Sequence, residues 1–432
     1  MKIKFIGATE DVTGSMTLLE TPACKILIDC GLYQGIPSVV KKNLRPLPFN
    51  PKEINAIILT HAHLDHCGHI PRLVKLGFRG NIYSTKATLK LAHLIMNDSA
   101  HILEKNEHHL LQDFYEPEDV VIATSLFKAK KHHEPFSLLG MEITFLPAGH
   151  ILGASSVHIK GEKSITFSGD LGRSDDPIIF PPEKCPMTDI LVMESTYGGK
   201  NRNGDLEKEL KDFLNKIRTN SKIGIIASFA VARSQMLITL IHDYYLSHPE
   251  EKIRLVIDGP MMTEANKIYR EFKDYTKHPQ NLEAALNEVE IIEHIREWQS
   301  IKKNEGPLIV ITSSGMVAGG RIWRYLENWQ DDTNACLFLP GYQAEGTAGR
   351  ALKEGERTIH DEQGKIIKWS GEVISSEAFS SHADQNELVS WISEIDKKTQ
   401  IYLNHGEVEA KIKFKELLIS LGYQNVLIAE AE

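Results

Sequence analysis

From Met1 to Thr196 the apolar positions recur in short bursts with a period of two: KIKFIGA, SMTLLET, KILIDCG, AIILTHA, GNIYST, MEITFLPAGH, SSVHIK, SITFSGD and DILVMEST. Alternation and β-branched side chains favour strands at each burst. Between them, HIPRLVKLGF and the longer KATLKLAHLIMNDSAHILEKNEHHLLQDF carry the three-to-four spacing of helices, and EPEDVVIATSLF is read as a further helix start. The mixture predicts an α/β sheet domain.

After Gly198 the texture changes. IGIIASFA, IRLVIDGP, PLIVITSSGM and ACLFLPGYQ are near-continuous apolar runs, each followed by a helical or Gly-rich segment, with polar helices such as DLEKELKDFLNKIR between them. Such runs belong to strands buried on both faces of a mostly parallel, doubly wound sheet. Past Ser376, SEAFSSHADQNELVSWISEI and QIYLNHGEVEAKIKFKELLISLG predict a turn into a helix, a strand, a His-Gly turn and a last helix. We read this tail as a return to the first domain, which makes the middle an insertion: residues 1–200, 201–372 and 373–432.

Composition adds limits. The 432 residues, 42% hydrophobic and 25% charged, are enough for two cores. The start MKIKFIGATED lacks the plan of a signal peptide and no apolar run is long enough to span a bilayer, so a cytoplasmic protein with no membrane partner is expected. Cys24, Cys30, Cys67, Cys185 and Cys336 are scattered without a CxxC pair, which predicts reduced structural thiols. A net charge of −9 argues against a broad basic footprint for nucleic acid, although divalent metals in a cleft can attract phosphates locally.

The segment Thr60-His61-Ala62-His63-Leu64-Asp65-His66 sets three imidazoles and a carboxylate on one loop at a strand end. Neutral imidazole nitrogens at about 2 Å and a hard carboxylate oxygen suit Zn²⁺ or a similar ion. The spacing sends His61 and His63 to one metal and Asp65 and His66 to a second. A polar loop with incidental histidines is the plainer reading, and so dense a set of ligand types speaks against it. Asp29, His150, Asp170 and His405 end other predicted strands. Singly each is an ordinary turn residue; together they line the rim that holds the metal loop.

With these residues in place the chain resembles the metallo-β-lactamase superfamily and, within it, the β-CASP nucleases. The matching stretches, in order, are LIDCG at Asp29, HAHLDH, AGH at His150, FSGDLGR at Asp170, MESTYG at Glu194, SFAVARSQ at Arg233, ITSSGMVAGG, GYQAEGT, FSSHAD at His382 and LNHGE at His405. The resemblance covers essentially the whole chain and is nearest in size to compact prokaryotic β-CASP ribonucleases and to the endonuclease subunit of the pre-mRNA 3′-end cleavage and polyadenylation factor.

The resemblance implies an αββα sandwich interrupted by a β-CASP domain, and two Zn²⁺ ions. One ion is held by His61, His63, His150 and Asp170, the other by Asp65, His66, Asp170 and His405, with Asp29 orienting the loop from behind. It implies a water of lowered pKa attacking phosphorus, with Asp65 at the reacting centre and His382, kept protonated by Glu194, protonating the leaving oxygen. On residue type alone His382 is only a neighbour of a helix cap at Ser381 or Asp384, and Glu194 a strand-end acid. Ser313, Ser314 and Gly315 offer a phosphate cradle before a helix, while Arg233 and Arg350 gain interest as RNA contacts from the family motifs alone.

His405 favours RNA over DNA within that family, and single-stranded RNA is the expected partner. The expected activity is endonucleolytic cleavage with a possible 5′ exonuclease mode. The predicted elements run from a first strand to a last helix, so the KH domains and C-terminal domain of some relatives are not expected, which puts sequence selection and ribonuclease-J-style dimerisation in doubt, with a homodimer still possible. Ala348, in GTAGR, stands where relatives commonly carry a larger aliphatic residue. His108, His109, His132 and His133 lie among lysines and acids and are read as surface residues. The rival readings are a thioester or lactone hydrolase, a DNA nuclease, and a non-catalytic scaffold that has lost ligands.

Overall fold

The computed structural model describes residues 1–105, 110–220, 223–303, 306–361 and 364–431. It divides into one unit of Met1–Asn201 with His382–Glu432 and a second of Arg202–Ser381.

In the first unit, alternation along short strands builds one sheet from β1 (Lys2–Phe5), β2 (Thr17–Glu20), β3 (Lys25–Ile28), β4 (Ala56–Ile58), β5 (Asn81–Thr85) and β6 (Phe127–Lys130), in that order. The first three strands are antiparallel, and β3 to β6 run parallel. A second sheet begins with β7 (Phe136–Leu138), β8 (Met141–Pro147), β9 (Ser155–Lys160), β10 (Ser164–Phe167) and β11 (Ile190–Glu194). One core joins the sheets: Phe5, Ile26, Ile28 and Ile58 from the first pack with Ile143, Phe145, Val157, Ile159 and Phe167 from the second. Each such side chain contributes about 1.5–3 kcal/mol on burial. Helix Lys86–Lys105 buries Leu91, Ala92, Met96, Ala100 and Leu103, the face its spacing predicts.

Strands β6 and β7 are not among the strands read from the sequence, where the lysines and acids around His132 and His133 suggest only a surface segment. They are terminal strands of their sheets, with buried Phe127 and Leu138 as their anchors. Edge strands turn polar side chains outward, which hides their period.

The second unit supplies β12 (Ile223–Ala227), β13 (Arg254–Asp258), β14 (Glu290–Ile291), β15 (Leu308–Thr312), β16 (Cys336–Pro340), the hairpin of β17 (Thr358–His360) and β18 (Ile366–Lys368), and β19 (Glu372–Ser376). Six of these form one parallel sheet in the order β14-β13-β15-β12-β16-β19. Strands β12, β15 and β16 are buried at every residue, as their unbroken apolar runs require. The boundary expected at residue 372 moves to Ser381, because β19 pairs in parallel with β16, Cys336 opposite Glu372.

The chain then completes the first unit's second sheet with β20 (Gln400–Asn404) and β21 (Asn425–Ile428), giving the order β21-β20-β11-β10-β9-β8-β7. Strand β21 corrects the expectation that the chain ends on its last helix, Val408–Ser420.

Candidate metal centre

Strand ends on both sheets of the first unit carry the polar cluster. β4 runs into Thr60 and the short helix Leu64–Cys67, which carries Asp65 and His66. Asp29 follows β3, His150 follows β8, and His405 follows β20, with left-handed φ angles of 59°, 60° and 48°. Non-glycine residues hold such angles where the surroundings fix them, and functional sites are where this concentrates. Close backbone approach matters equally. A Cβ on Gly31 would lie 1.6 Å from the Asp65 carbonyl oxygen, and one on Gly172 would lie 1.9 Å from the His150 nitrogen. Only glycine lets these loops converge.

The convergence yields two adjacent donor sets, His61, His63, His150 and Asp170, and Asp65, His66 and His405, each with its donor atoms within 4.8 Å of one another. In the first, His63 Nδ1 lies 3.2 Å from His61 Nε2 and 2.9 Å from His150 Nε2, while Asp170 Oδ2 stands 3.6 and 3.7 Å from those two nitrogens. In the second, His66 Nε2 and His405 Nε2 are 3.1 Å apart, and Asp65 Oδ2 is 3.4 Å from His405 Nε2. Asp170 Oδ1 reaches this set, 3.3 Å from His66 and 3.4 Å from His405. Asp170 therefore faces both sets, one oxygen each.

This arrangement fits divalent cations. Imidazole nitrogens aimed at one another across about 3 Å carry opposed lone pairs or compete for one proton, whereas tetrahedral ligands around Zn²⁺ stand roughly 3.3 Å apart. Asp170 Oδ1 is buried and accepts no hydrogen bond, the state of an oxygen reserved for an ion. Burial pushes His61 and His150 well below the ordinary imidazole range and His63 down to about 4, so all three stay neutral, as ligands must. Burial opposes ionisation of Asp170 too, but His405 and His66 hold its carboxyl well below the usual range.

Behind the donors, Asp29 fixes the loop. Thr60 donates its N–H to Oδ1 at 2.8 Å and its hydroxyl to Oδ2 at 2.9 Å, and His66 Nδ1 is 2.7 Å from Oδ2. A proton on Nδ1, donated to Asp29, leaves the His66 Nε2 lone pair free to ligate an ion. Thr60 escaped the sequence reading, although its place directly before His61 was the available signal.

His382 and Glu194 also come together: His382 Nδ1 lies 3.5 Å from Glu194 Oε1 and 4.0 Å from Asp170 Oδ2. Glu194 accepts the N–H of Leu171 at 2.7 Å and of Thr196 at 3.2 Å, which aims its carboxylate. Burial works against a charged imidazole, but the Glu194 carboxylate outweighs it and raises the His382 pKa. The helix Gln385–Trp391 is capped by Asp384 in a reciprocal pair with Glu387, so capping leaves His382 available for the site.

Family models match the chain in three blocks: the metallo-β-lactamase superfamily over residues 9–219, the β-CASP domain over 234–352, and the Zn-dependent metallo-hydrolase RNA specificity domain over 366–429. An RNase J-like protein of Methanocaldococcus jannaschii is 30% identical, with 95% of this chain and 94% of that protein covered. This chain belongs to the β-CASP family. Members of its superfamily bind divalent metal, in keeping with the donor sets above. A ribonuclease of Thermus thermophilus is 29% identical over 98% of this chain and 97% of its own length. Transcription termination factor FttA of Methanococcus maripaludis is 29% identical over 94% of this chain and 67% of its own.

The β-CASP unit places the remaining expected residues apart from one another in role. Arg233 is buried at the start of helix Arg233–Ser247 and donates to the Pro340 carbonyl, a contact that ties β12's loop to β16's end. Arg350 is more exposed and pairs with Glu354 at 2.5 Å. Ser313, Ser314 and Gly315 follow β15, but the next helix starts only at Ile322, so they do not form a helix N-terminus. Ala348 packs against the core of this unit. In the first unit, His133 is exposed beside Glu183 at 3.1 Å, but His132 is half-buried, bonded to Ser155 Oγ at 2.9 Å and pushed down to about 4 by burial. His132 is thus a packed residue rather than a surface one. His108 and His109 lie outside the described residues.

Proposed function

We propose that this β-CASP ribonuclease cleaves single-stranded RNA with two Zn²⁺ ions, one on His61, His63, His150 and Asp170 and one on Asp65, His66, Asp170 and His405. The observation that carries the reading is Asp170, whose two oxygens face separate donor sets beside the His382–Glu194 pair. Bound there, divalent ions would supply positive charge against the phosphoryl oxygens and lower the pKa of an attacking water.

The protein's own groups do the rest. Asp65, partly exposed and 3.4 Å from His405 Nε2, would help hold one ion and orient the attacking water. His382 turns Nδ1 to Glu194 and gives its Nε2 proton to the leaving oxygen, and Glu194 favours the charged imidazole until that transfer. Asp29 keeps His66 in the tautomer that ligates. Cleavage is internal, with a 5′ exonucleolytic mode on suitable ends. A thioester or lactone has no need of the His382–Glu194 pair, and with every expected ligand position filled a scaffold role is disfavoured. A cytoplasmic site of action fits five buried free thiols, and no described helix is long and apolar enough to cross a membrane.

Zinc-loaded protein incubated with 5′-labelled single-stranded RNA, matched DNA and a thioester tests this directly. RNA fragments that vanish with Asp65→Ala and fall sharply with His382→Ala are expected; intact RNA alongside a hydrolysed thioester would refute the reading.

A further inference from the structure

Ligands of doubly wound sheets bind outside the carboxyl ends of the strands. In the β-CASP unit three neighbouring strands, β15, β12 and β16, end together and lead into Ser313–Gly315, Ser228–Phe229 and Gly341–Tyr342. Among the described residues four aromatic rings rank with the exposed large apolar side chains, Phe180, Phe229, Tyr275 and Tyr342. Two of them stand on this one rim. Phe229 is 40% exposed and Tyr342 41%, each two residues past its strand, and the strands are paired Ile226 to Phe338.

Phe229 is held in place. A Cβ on Gly315 would sit 2.9 Å from the Phe229 nitrogen and 3.0 Å from ring atom Cδ2, so the ring lies directly against the bare backbone of Gly315. That backbone is itself braced, because Gln343 Nε2 donates to the Gly315 carbonyl at 3.0 Å and the Gly349 N–H donates to Met316 at 3.0 Å. Gln343 follows Tyr342 directly, so one short segment carries an exposed ring and the clamp beneath the other. Leaving part of each ring in water while bracing the loops beneath forgoes some of the stabilisation that full burial would bring. The balance is restored if the rings are covered by a planar ligand.

We propose that Phe229 and Tyr342 form a stacking platform for unpaired nucleobases. This rests on the ribonuclease reading and adds how the chain is held. A ring recognises any base by its flat face, so the platform confers single-strand preference with little sequence preference. Gly315 serves by admitting the Phe229 ring.

The test measures binding of a short fluorescent single-stranded RNA to zinc-loaded His382→Ala protein by anisotropy, beside the same oligomer carrying abasic riboses. Phe229→Ala and Tyr342→Ala should each weaken binding of the base-bearing RNA by roughly 5- to 150-fold and leave the abasic oligomer unchanged. Phe229→Trp should retain binding, which separates stacking from a folding defect. Unchanged affinity in both alanine variants, or equal losses toward both oligomers, overturns the platform while RNA cleavage by the unaltered enzyme still stands. RNA left uncut and unbound by the unaltered enzyme fails the ribonuclease reading itself and removes the platform with it.

Discussion

The two sheet rims of this chain solve opposite electrostatic problems. On the first unit, imidazoles and carboxylates crowd donor against donor, and Asp170 Oδ1 is buried without a hydrogen bond. On the β-CASP unit a buried acid at a strand end, Asp258 as the last residue of β13, is answered within its own domain by Arg321 and by the Tyr325 hydroxyl at 2.9 Å. One rim requires something from outside the chain; the other has closed its charges. Similar residue types at strand ends therefore do not mark a site. Crowded ligand-type donors around a buried carboxylate do.

Substitutions can break this contrast. Asp170→Ala strips both donor sets of their shared member, and activity on RNA should fall by roughly 10⁴-fold or more, with zinc lost on elemental analysis, since several kcal/mol of charge stabilisation go with the ions. Retained zinc in that variant would deny Asp170 its double role. His382→Ala should lower cleavage by about 10²- to 10⁴-fold while zinc content holds, the mark of lost proton transfer alone. By contrast, Asp258→Asn should cost about 3–5 kcal/mol of stability in denaturant unfolding, leaving Arg321 poorly paired, with zinc per folded chain unchanged. A subtler change, Asp29→Ala, should weaken zinc binding by roughly 10- to 100-fold in chelator competition by freeing the His66 ring.

The smallest effect concerns His132. Its folded pKa of about 4 lies below the ordinary 6.5, so the unfolded chain binds the extra proton first. Its contribution to stability is complete above pH 6.5 and is lost as pH falls through 4. Melting curves of His132→Gln should consequently shift less between pH 7 and pH 5 than those of the unaltered protein. An identical acid shift in both would place the His132 ring outside the acid response.

Legibility followed local density of information. The HAHLDH loop spells out its chemistry within six residues of sequence, and β12, β15 and β16 announce themselves by unbroken apolar runs. Asp29, His150, Asp170 and His405 were legible as strand ends, but which of them share a neighbour is fixed by sheet order, and β20 joins β11 only across the whole insertion. Strands β6 and β7 escaped because terminal strands show polar faces, and β21 because a short strand after a helix resembles a tail. Arg233 looked like an RNA contact from its motif, whereas folding turned its guanidinium onto Pro340. No periodicity reports such a turn inward.

The central claim is the pair of ions shared by Asp170. Anomalous diffraction at the zinc edge from crystals of the purified protein tests it with least intervening inference. The account predicts two peaks, one on His61, His63 and His150 and one on Asp65, His66 and His405, with Asp170 contacting both. A single peak, or two peaks of which Asp170 touches one, would contradict it.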